Sequence, residues 1–371
     1  MNLKIAILAG DGVGPEVILQ AKKALNAISL VFDHEFIFED AFIGAIAIEK
    51  TGNPLPEQTL NLCLNTDAVL FGAIGDPKYD NNPDVEVRPE QGLLKLRQEL
   101  GLFANIRPIK TYSSLLNSSP LKKEIIQGTD FILYRELTGG IYFDEKKLNE
   151  TAIMASDLCE YSEEEITRIS HLAFKSAQNR RKKVTIVDKA NVLETSRLWR
   201  RVVKKVSEEY SDVALDFLFV DNAVTQIILN PRQFDVILIE NLFGDILSNV
   251  ADVISGSIGL FASASLGKTK AFFEPIHGSY PQAIGKNIAN PIASILSAAM
   301  LLEHFGLDKE AKKVFEAVEK AIEYNVVTED LNKDSKFGTN EVGDFIANFI
   351  LSKDDLYFKI DNIKIGQSTI V

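Results

Sequence analysis

Three arginines accompanied by apolar residues suggest a binding site for a small polyanion. Arg97 and Arg107 lie in the segment GLLKLRQELGLFANIRP, and Arg135 lies in LYRELTGGIYF. Guanidinium groups suit carboxylates because they donate two parallel hydrogen bonds in a fixed geometry. Leu93 and Leu94 come about one helical turn before Arg97, so we expect the bound polyanion to carry an apolar part as well.

The three arginines differ in how strongly their positions indicate a role in ligand binding. Arg97 taken alone is more often a solvated charge on a helix than a ligand-binding residue. Arg107 stands before a proline, and Arg135 lies inside an apolar strand, where a guanidinium needs an acidic partner or a ligand.

Two aspartates follow apolar strand-like segments. Asp221 comes after LDFLFV, and Asp245 follows FDVILIE across the short turn ENLFG. Open α/β sheets place their sites at such carboxyl ends of strands. Asp245 and Asn249 are four residues apart, on one face of a predicted helix, and hard cations such as Mg²⁺ bind a few oxygens of this kind. Taken singly, each acid also fits a surface charge or a helix N-cap.

A lysine and a tyrosine could move protons. Lys189 directly follows a β-rich segment, where it is either a surface residue or a base whose pKa is lowered by burial. Tyr142 lies in a predicted strand over residues 140–144, as either a packed aromatic residue or a proton donor.

The glycine-rich segment AGDGVGPE does not predict a Rossmann dinucleotide site. Pro15 occupies the position of the third glycine of the G-x-G-x-x-G pattern, so close packing over a pyrophosphate is not specified. A tight turn in which Pro15 opens a helix explains these residues.

The composition indicates a soluble protein of about two domains. A formal net charge of −12 argues against nucleic acid and anionic membranes as partners, and a length of 371 residues favours two lobes. Two cysteines predict neither a disulfide framework nor a metal cluster, and they favour a cytoplasmic location. No apolar run is long enough to span a membrane.

Strand-like and helical patterns alternate, which predicts an α/β fold. We predict strands over residues 3–9, 35–39, 68–73, 131–135, 140–144, 184–188, 216–220 and 234–240. We predict helices over residues 15–29, 92–100, 162–181, 290–305 and 308–324; the third opens with a capping box.

The chain as a whole resembles the β-decarboxylating 2-hydroxyacid dehydrogenases, which include isocitrate and isopropylmalate dehydrogenases. The resemblance runs in order through LAGDGVGPE, RPEQGLLKLRQELGLFANIRP, RELTGGIYF, VDKANVLETSRLWR, FVDNA, ENLFGDILS, GSIGLFASASLG and FEPIHGSYPQAIGKNIANP. It implies a two-lobed isopropylmalate dehydrogenase-like fold with a shared twisted mixed sheet that is not a Rossmann fold. Residues 1–105 and 257–351 would form the first lobe and 106–256 the second. An arm at about 137–162 would clasp the partner in a homodimer, and 352–371 would be a C-terminal appendage.

The same resemblance implies an activity and assigns roles to residues. The expected reaction is NAD-dependent oxidative decarboxylation of 3-isopropylmalate to 4-methyl-2-oxopentanoate in leucine biosynthesis. Lys189 and Asp221, reaching in from the neighbouring subunit, would take the hydroxyl proton, and Tyr142 would return a proton to C3. The substrate would be bound by Arg97, Arg107, Arg135 and Asp221, with Leu93 and Leu94 against its isopropyl group. Mg²⁺ or Mn²⁺ would be held by Asp221, Asp245 and Asn249. Glu90 would lie near the nicotinamide, and the adenosine end would contact His277, Gly278, Ser279, Gln282, Ala289, Asn290 and Asp330.

Two residues depart from the family pattern. The family has a second metal-binding aspartate where this chain has Asn249, so we expect weaker metal binding. It has an NAD-selecting aspartate where this chain has Gln282, so we expect NAD to be preferred with weaker discrimination.

Two alternatives remain: a relative acting on another malate-type substrate such as isocitrate, homoisocitrate or tartrate, or a weakly catalytic subunit that senses a metabolite.

Overall fold

The computed structural model describes residues 1–80, 86–149, 153–254 and 256–352. The strands are β1 Asn2–Gly10, β2 Glu35–Asp40, β3 Ala68–Ala73, β4 Ala104–Lys110, β5 Asp130–Glu136, β6 Lys146–Leu148, β7 Ala155–Asp157, β8 Lys183–Asp188, β9 Ala214–Phe219, β10 Val236–Ile239, β11 Ala262–Leu266 and β12 Ala271–Pro275. The α-helices are α1 Gly14–Phe32, α2 Ala45–Thr51, α3 Glu57–Asn65, α4 Pro77–Asp80, α5 Pro89–Glu99, α6 Lys123–Ile126, α7 Glu163–Gln178, α8 Glu194–Ser207, α9 Val220–Leu229, α10 Asn241–Asp252, α11 Ile292–His304, α12 Asp308–Glu323 and α13 Thr339–Leu351.

The fold is α/β with a large mixed sheet of ten strands, which confirms the predicted fold class. The chain divides into two compact units. The first contains Met1–Leu100, Ser257–Ala264 and the residues from Lys268 onward, and the second contains Gly101–Gly256 and Ser265–Gly267. The lobe boundaries stated above stay a prediction, and residues 353–371 of the predicted appendage lie outside the described part.

In the first unit the strands follow the order β2-β1-β3-β12, and the described pairings are parallel. Every residue of β3 is buried, as its unbroken apolar sequence predicts. Helix α1 contacts α11 and α13, and the α1–α13 contact includes a buried ion pair of 2.6 Å between Lys23 and Asp344.

In the second unit the strands follow the order β4-β5-β10-β8-β9. Strand β4 runs antiparallel to β5, whereas β5, β10, β8 and β9 run parallel to one another. Helix α7 begins after Ser162, whose hydroxyl accepts a hydrogen bond from the Glu165 amide, so the predicted capping box is present. The core packs α7 and α8 onto this sheet around Phe174, Trp199 and Val203.

Residues 140–144 are not a strand, so that prediction was wrong. Gly140–Tyr142 forms a single 3₁₀ turn, and Gly140 has φ 74°, outside the range of a β-strand. The apolar sequence GIYF resembles a strand, but the ring of Tyr161 packs directly against Gly139 and Gly140. Tyr142 is therefore presented from a turn.

A two-stranded antiparallel ladder, β6 with β7, lies within the predicted dimer arm. Its six strand residues are exposed. Residues 150–152, which belong to the same predicted arm, lie outside the described residues. None of the described helices is long and apolar enough to cross a bilayer.

Candidate active site

Four parallel strands of the second unit end at one edge of its sheet. Arg135 pairs in register with Ile239, Ile239 with Val187, and Asp188 with Phe219. The residues that follow these strands therefore begin at the same edge. The edge carries Arg135, Lys189, Asp221 and the first turns of α10, which is the usual location of a site in a parallel sheet.

Arg135 is the centre of a hydrogen-bonded group. Its guanidinium is largely buried and forms an ion pair of 2.5 Å with Asp245. Its Nε and Nη2 donate to the side-chain oxygen of Asn241 at 3.0 and 2.8 Å. A strand arginine was expected to need a partner, and these two residues of α10 supply it. The guanidinium is thereby fixed in orientation at the carboxyl end of β5.

Tyr142 joins the same group. Its hydroxyl donates to Asp245 Oδ2 at 3.0 Å, and its ring lies 5.8 Å from the Arg135 guanidinium. Burial, together with the nearby negative charge of Asp245, raises the pKa of Tyr142 above its ordinary value. The phenol is therefore protonated at neutral pH, as a proton donor must be.

Asp245 lies inside α10, so it is not the N-cap that its position also allowed. Glu240 caps this helix, with its carboxylate accepting a hydrogen bond from the Phe243 amide. Asn249 follows Asp245 by one turn and is exposed. The two side chains consequently present oxygen atoms from one face of the helix.

Arg107 projects from β4 toward α10. Its Nε donates to the side-chain oxygen of Asn105 at 2.8 Å, and its Nη1 donates to Ser248 Oγ at 2.6 Å. Burial raises the pKa of Asp252, at the end of α10, to about 6, although the charge of Arg107 opposes this rise. Arg107 and Arg135 are thus both held by side chains of the helix that carries Asp245.

Lys189 and Asp221 form an ion pair with each other. The bond to Lys189 lowers the pKa of Asp221, whose side chain is exposed. Neither side chain makes another ion pair within the described ranges. The predicted proton-accepting pair is therefore assembled from the ends of β8 and β9.

The oxygen atoms of Asp221, Asp245 and Asn249 are of the kind that Mg²⁺ and Mn²⁺ bind. Within the described part of one chain, however, no three His, Cys, Asp or Glu residues are arranged to hold a metal. Asp245 and Asn249 alone would leave most coordination positions to substrate and water, which is common for Mg²⁺. The donor chemistry fits this cation if a further carboxylate comes from a second chain.

In the first unit, helix α5 carries the predicted substrate-specificity residues. Leu93 is 9 % exposed, whereas Leu94 is 45 % exposed. Arg97 lies one turn after Leu94, and its Nη2 donates to Glu274 at 2.6 Å. Its Nε is buried and has no hydrogen-bond partner among the described residues. Helix α5 thus presents an exposed apolar side chain beside a guanidinium with an unused donor.

A cavity of about 680 Å³ lies in the first unit. It includes five of the predicted adenosine-binding residues and several others. The lining comprises His277, Gly278, Ala289, Asn290 and Asp330, together with Val13, Ser257, Ile258, Gly259, Tyr280, Ile288, Glu329 and Lys333. A mostly apolar concave surface with a few polar groups is typical of a cofactor site.

Polar groups in this cavity are set by their hydrogen bonds. Asp330 accepts from Ser257 at 2.5 Å and from Asn290 at 3.0 Å. His277 Nδ1 lies 3.0 Å from the Gly278 carbonyl oxygen. Because a carbonyl oxygen can only accept, Nδ1 carries a proton and donates this hydrogen bond. Burial lowers the pKa of His277, and its Nε2 is buried with no partner in the described part of the chain. A neutral His277 therefore leaves Nε2 as an acceptor for a bound ligand.

The glycine-rich turn packs against the other predicted cofactor residues. Gly12 has φ 61°, and a Cβ there would overlap the Ser279 carbonyl, to which the Val13 amide donates at 2.8 Å. A Cβ at Gly75 would lie 3.0 Å from Glu90 Oε1, so Glu90 borders this region as well. Gln282 is exposed on a 3₁₀ turn. The glycines serve close packing, which agrees with the exclusion of a Rossmann site.

Several residues of both groups were not predicted from the sequence. In the second unit these are Asn241, which accepts from Arg135, and Ser248, which accepts from Arg107. Tyr161 and Glu240, which bond to each other at the start of α10, were missed as well. In the first unit Lys333 lines the cavity and makes no ion pair within the described residues. Glu240 and Asn241 are the first two residues after the buried strand β10, and this position at a strand end was a usable signal.

With the fold and these groups defined, the class of protein follows. The chain belongs to the isocitrate/isopropylmalate dehydrogenase family, whose pattern it matches over residues 4–346. It is therefore a member of a family of dehydrogenases.

Two relatives named 3-isopropylmalate dehydrogenase are each 50% identical to this chain. A 3-isopropylmalate dehydrogenase of Bacteroides fragilis is 50% identical over 352 residues, covering 94% of this chain and 99% of the relative. That of Bacillus subtilis is 50% identical over 347 residues, covering 92% and 95%. Among solved structures, isocitrate dehydrogenase from Methylococcus capsulatus has a TM-score of 0.84 at 34% identity, with 95% of this chain and 100% of that chain covered. A β-decarboxylating dehydrogenase from Thermococcus kodakarensis has a TM-score of 0.79 at 35% identity, covering 97% and 100%.

Proposed function

We propose that the protein catalyses NAD-dependent oxidative decarboxylation of 3-isopropylmalate to 4-methyl-2-oxopentanoate, in leucine biosynthesis. The choice of 3-isopropylmalate as the substrate rests on the exposed Leu94 beside Arg97 on α5. Relatives named 3-isopropylmalate dehydrogenase, 50% identical to this chain, support the same choice.

The arginines account for the two carboxylates of this substrate. Arg107 and Arg135 are held by α10 at one sheet edge, and Arg97 offers a buried Nε without a partner in the described residues. Leu94 would contact the isopropyl group, with the buried Leu93 beneath it. A third carboxylate, as in isocitrate, would be desolvated against the apolar side chain of Leu94, which costs more than a lost apolar contact.

The proton transfers fall to two separate groups. Lys189, beside Asp221, would take the proton of the 2-hydroxyl group as hydride leaves C2 for the cofactor. Tyr142 would donate a proton to C3 after the β-carboxylate has left as carbon dioxide. A divalent cation held by Asp221, Asp245 and Asn249 would polarise the 2-oxo group and so favour decarboxylation.

A homodimer would complete this arrangement, with Lys189 and Asp221 contributed by the partner. Within the described part of the chain, each of these two side chains forms an ion pair only with the other. Exposed apolar residues on α9 and α10, including Leu229 and Ile246, would be covered by a second copy. The exposed β6–β7 ladder would serve as the arm.

The cofactor's adenosine end would occupy the cavity of the first unit. Asp330 would accept hydrogen bonds from the ribose, and His277 Nε2 would accept one from the cofactor. We expect NAD to be preferred over NADP. Because Gln282 carries no charge that would repel the 2′-phosphate of NADP, we expect the discrimination between the two cofactors to be weak. We propose that the enzyme works in the cytoplasm.

Steady-state kinetics with both substrates tests this function. We expect kcat/KM for 3-isopropylmalate to exceed that for isocitrate by about 100-fold or more, because the Leu94 surface gives no partner to a third carboxylate. NAD⁺ and NADP⁺ would be compared in the same assay. Equal efficiency with isocitrate would contradict the substrate assignment, and equal efficiency with NADP⁺ would contradict the cofactor preference.

The variant Asn249→Asp is expected to bind the cation more tightly. Adding a full negative charge beside Asp245 should lower the Mg²⁺ concentration at half-maximal activity by about tenfold. Titration of Mn²⁺ binding by electron paramagnetic resonance checks the same change without turnover. Asn61→Asp, on the exposed surface of α3, is the control for added charge. An unchanged Mg²⁺ midpoint would rule out Asn249 as a ligand.

A further inference from the structure

A buried tyrosine lies between the two elements that carry Tyr142 and Asp245. Tyr161 is 7 % exposed and belongs to the segment that precedes α7. It forms no part of the reaction described above. Its surroundings nevertheless connect it to both sides of the Tyr142–Asp245 hydrogen bond.

The hydroxyl of Tyr161 holds the start of α10. It donates to Glu240 Oε2 at 3.0 Å and accepts from the Asn241 amide at 3.1 Å. The other Glu240 oxygen accepts from the Phe243 amide at 3.0 Å. The first turn of α10, which leads to Asp245, is therefore tied to one phenol hydroxyl.

The ring of Tyr161 holds the turn that carries Tyr142. A Cβ at Gly139 would lie 2.8 Å from Tyr161 Cε1, and a Cβ at Gly140 would overlap the Tyr161 hydroxyl. Both glycines are thus in direct contact with this ring. The ring also packs against Trp199 in a T-shaped arrangement, with centroids 5.5 Å apart.

The Asn241 side chain also connects the glycine turn to Arg135. The Asn241 side chain donates to the Gly139 carbonyl at 3.1 Å and accepts two hydrogen bonds from Arg135. The Arg135 stem lies against Gly244, where a Cβ would come within 2.8 Å of Arg135 Cγ. Arg135 consequently keeps its own supports when the Tyr161 hydroxyl is removed, whereas the glycine turn loses a contact to α10.

We propose that Tyr161 is a positioning residue that holds Tyr142 at its working distance from Asp245 by fixing the Gly139–Gly140 turn against the start of α10. This inference rests on the proposed function, in which Tyr142 donates a proton to C3. A misplacement of about 1 Å in such a donor is enough to slow the chemical step. Tyr161 itself touches neither substrate nor reacting atoms.

The variant Tyr161→Phe tests this role because it keeps the ring against Trp199 and the glycines. We expect kcat with 3-isopropylmalate to fall about tenfold, while KM for 3-isopropylmalate and for NAD⁺ changes less than about threefold. Tyr210→Phe is the matched control. Tyr210 is also buried in this unit, and its hydroxyl bonds to His171 Nδ1 at 2.8 Å. Tyr210→Phe should leave kcat within about twofold of the wild type.

A double-mutant cycle separates positioning from a general loss of stability. If Tyr161 acts through Tyr142, adding Tyr161→Phe to the Tyr142→Phe variant should change kcat less than about twofold. A further tenfold loss in that background would overturn the inference, as would a kcat of Tyr161→Phe equal to that of Tyr210→Phe. If the wild type itself does not oxidise 3-isopropylmalate, the proposed function is wrong, and the positioning role of Tyr161 is wrong with it. The variants test the role of Tyr161 only when the wild type is active.

Discussion

Replacing Tyr142 with phenylalanine is expected to lower kcat by about 10²–10⁴-fold, because the reaction loses the acid that protonates C3. The Tyr142 hydroxyl lies 3.0 Å from Asp245, and burial keeps its pKa above the ordinary value. KM for 3-isopropylmalate should change much less, since Arg107 and Arg135 remain in place. Steady-state kinetics measures both parameters.

Hydrogen exchange at C3 of 4-methyl-2-oxopentanoate provides an independent measurement for the same variant. In D₂O the wild type should exchange these hydrogens by the reverse of the protonation, and Tyr142→Phe should not. Tyr324→Phe is the control, because Tyr324 is 37 % exposed, close to the 41 % of Tyr142, and its hydroxyl makes no hydrogen bond within the described residues. Undiminished exchange in Tyr142→Phe would show that another group delivers the proton.

Replacing Lys189 with methionine is expected to lower kcat by about 10²–10⁴-fold, since the 2-hydroxyl group loses its proton acceptor. The loss should also leave Asp221 without its ion-pair partner. We expect the effect on kcat to exceed any effect on the thermal unfolding midpoint, because the pair is partly exposed and such pairs contribute little to stability.

A matched control for Lys189 lies on the two strands, β8 and β9, that precede Lys189 and Asp221. Lys183, at the first residue of β8, forms an ion pair of 2.7 Å with Asp216 of β9, at the opposite end of these strands from Lys189 and Asp221. Lys183→Met removes a comparable ion pair and should leave kcat unchanged. Equal kcat values for Lys183→Met and Lys189→Met would contradict the assignment of Lys189 as the base.

The parts of this structure that local patterns determine were predictable. The buried strand β3 and the strand ends before Lys189 and Asp221 follow from short apolar runs with clear borders. The start of helix α7 follows from its capping box. Helix α13 was missed, because Gly343 interrupts its sequence and buried residues occur on all its sides. Its glycine is needed where α13 meets Gln20 of α1, a contact that no local pattern reveals.

The connections within the candidate site were not predictable, because they join residues far apart in sequence. Arg135 and its partner Asn241 are 106 positions apart, and Tyr161 contacts Glu240 across 79. Sequence patterns indicated that Arg135 needed a partner, but the identity of that partner depends on the parallel pairing of β5 with β10. The strand predicted for Tyr142 failed for the same reason, since the packing of Tyr161 decides the conformation of that turn.

Product stoichiometry tests the proposed oxidative decarboxylation most directly. Purified protein would be incubated with 3-isopropylmalate, NAD⁺ and Mg²⁺, and NADH, carbon dioxide and 4-methyl-2-oxopentanoate would be measured together. Oxidative decarboxylation predicts that the three products form in equal amounts and that none forms without the protein. NADH without carbon dioxide, or no NADH at saturating Mg²⁺, would contradict it.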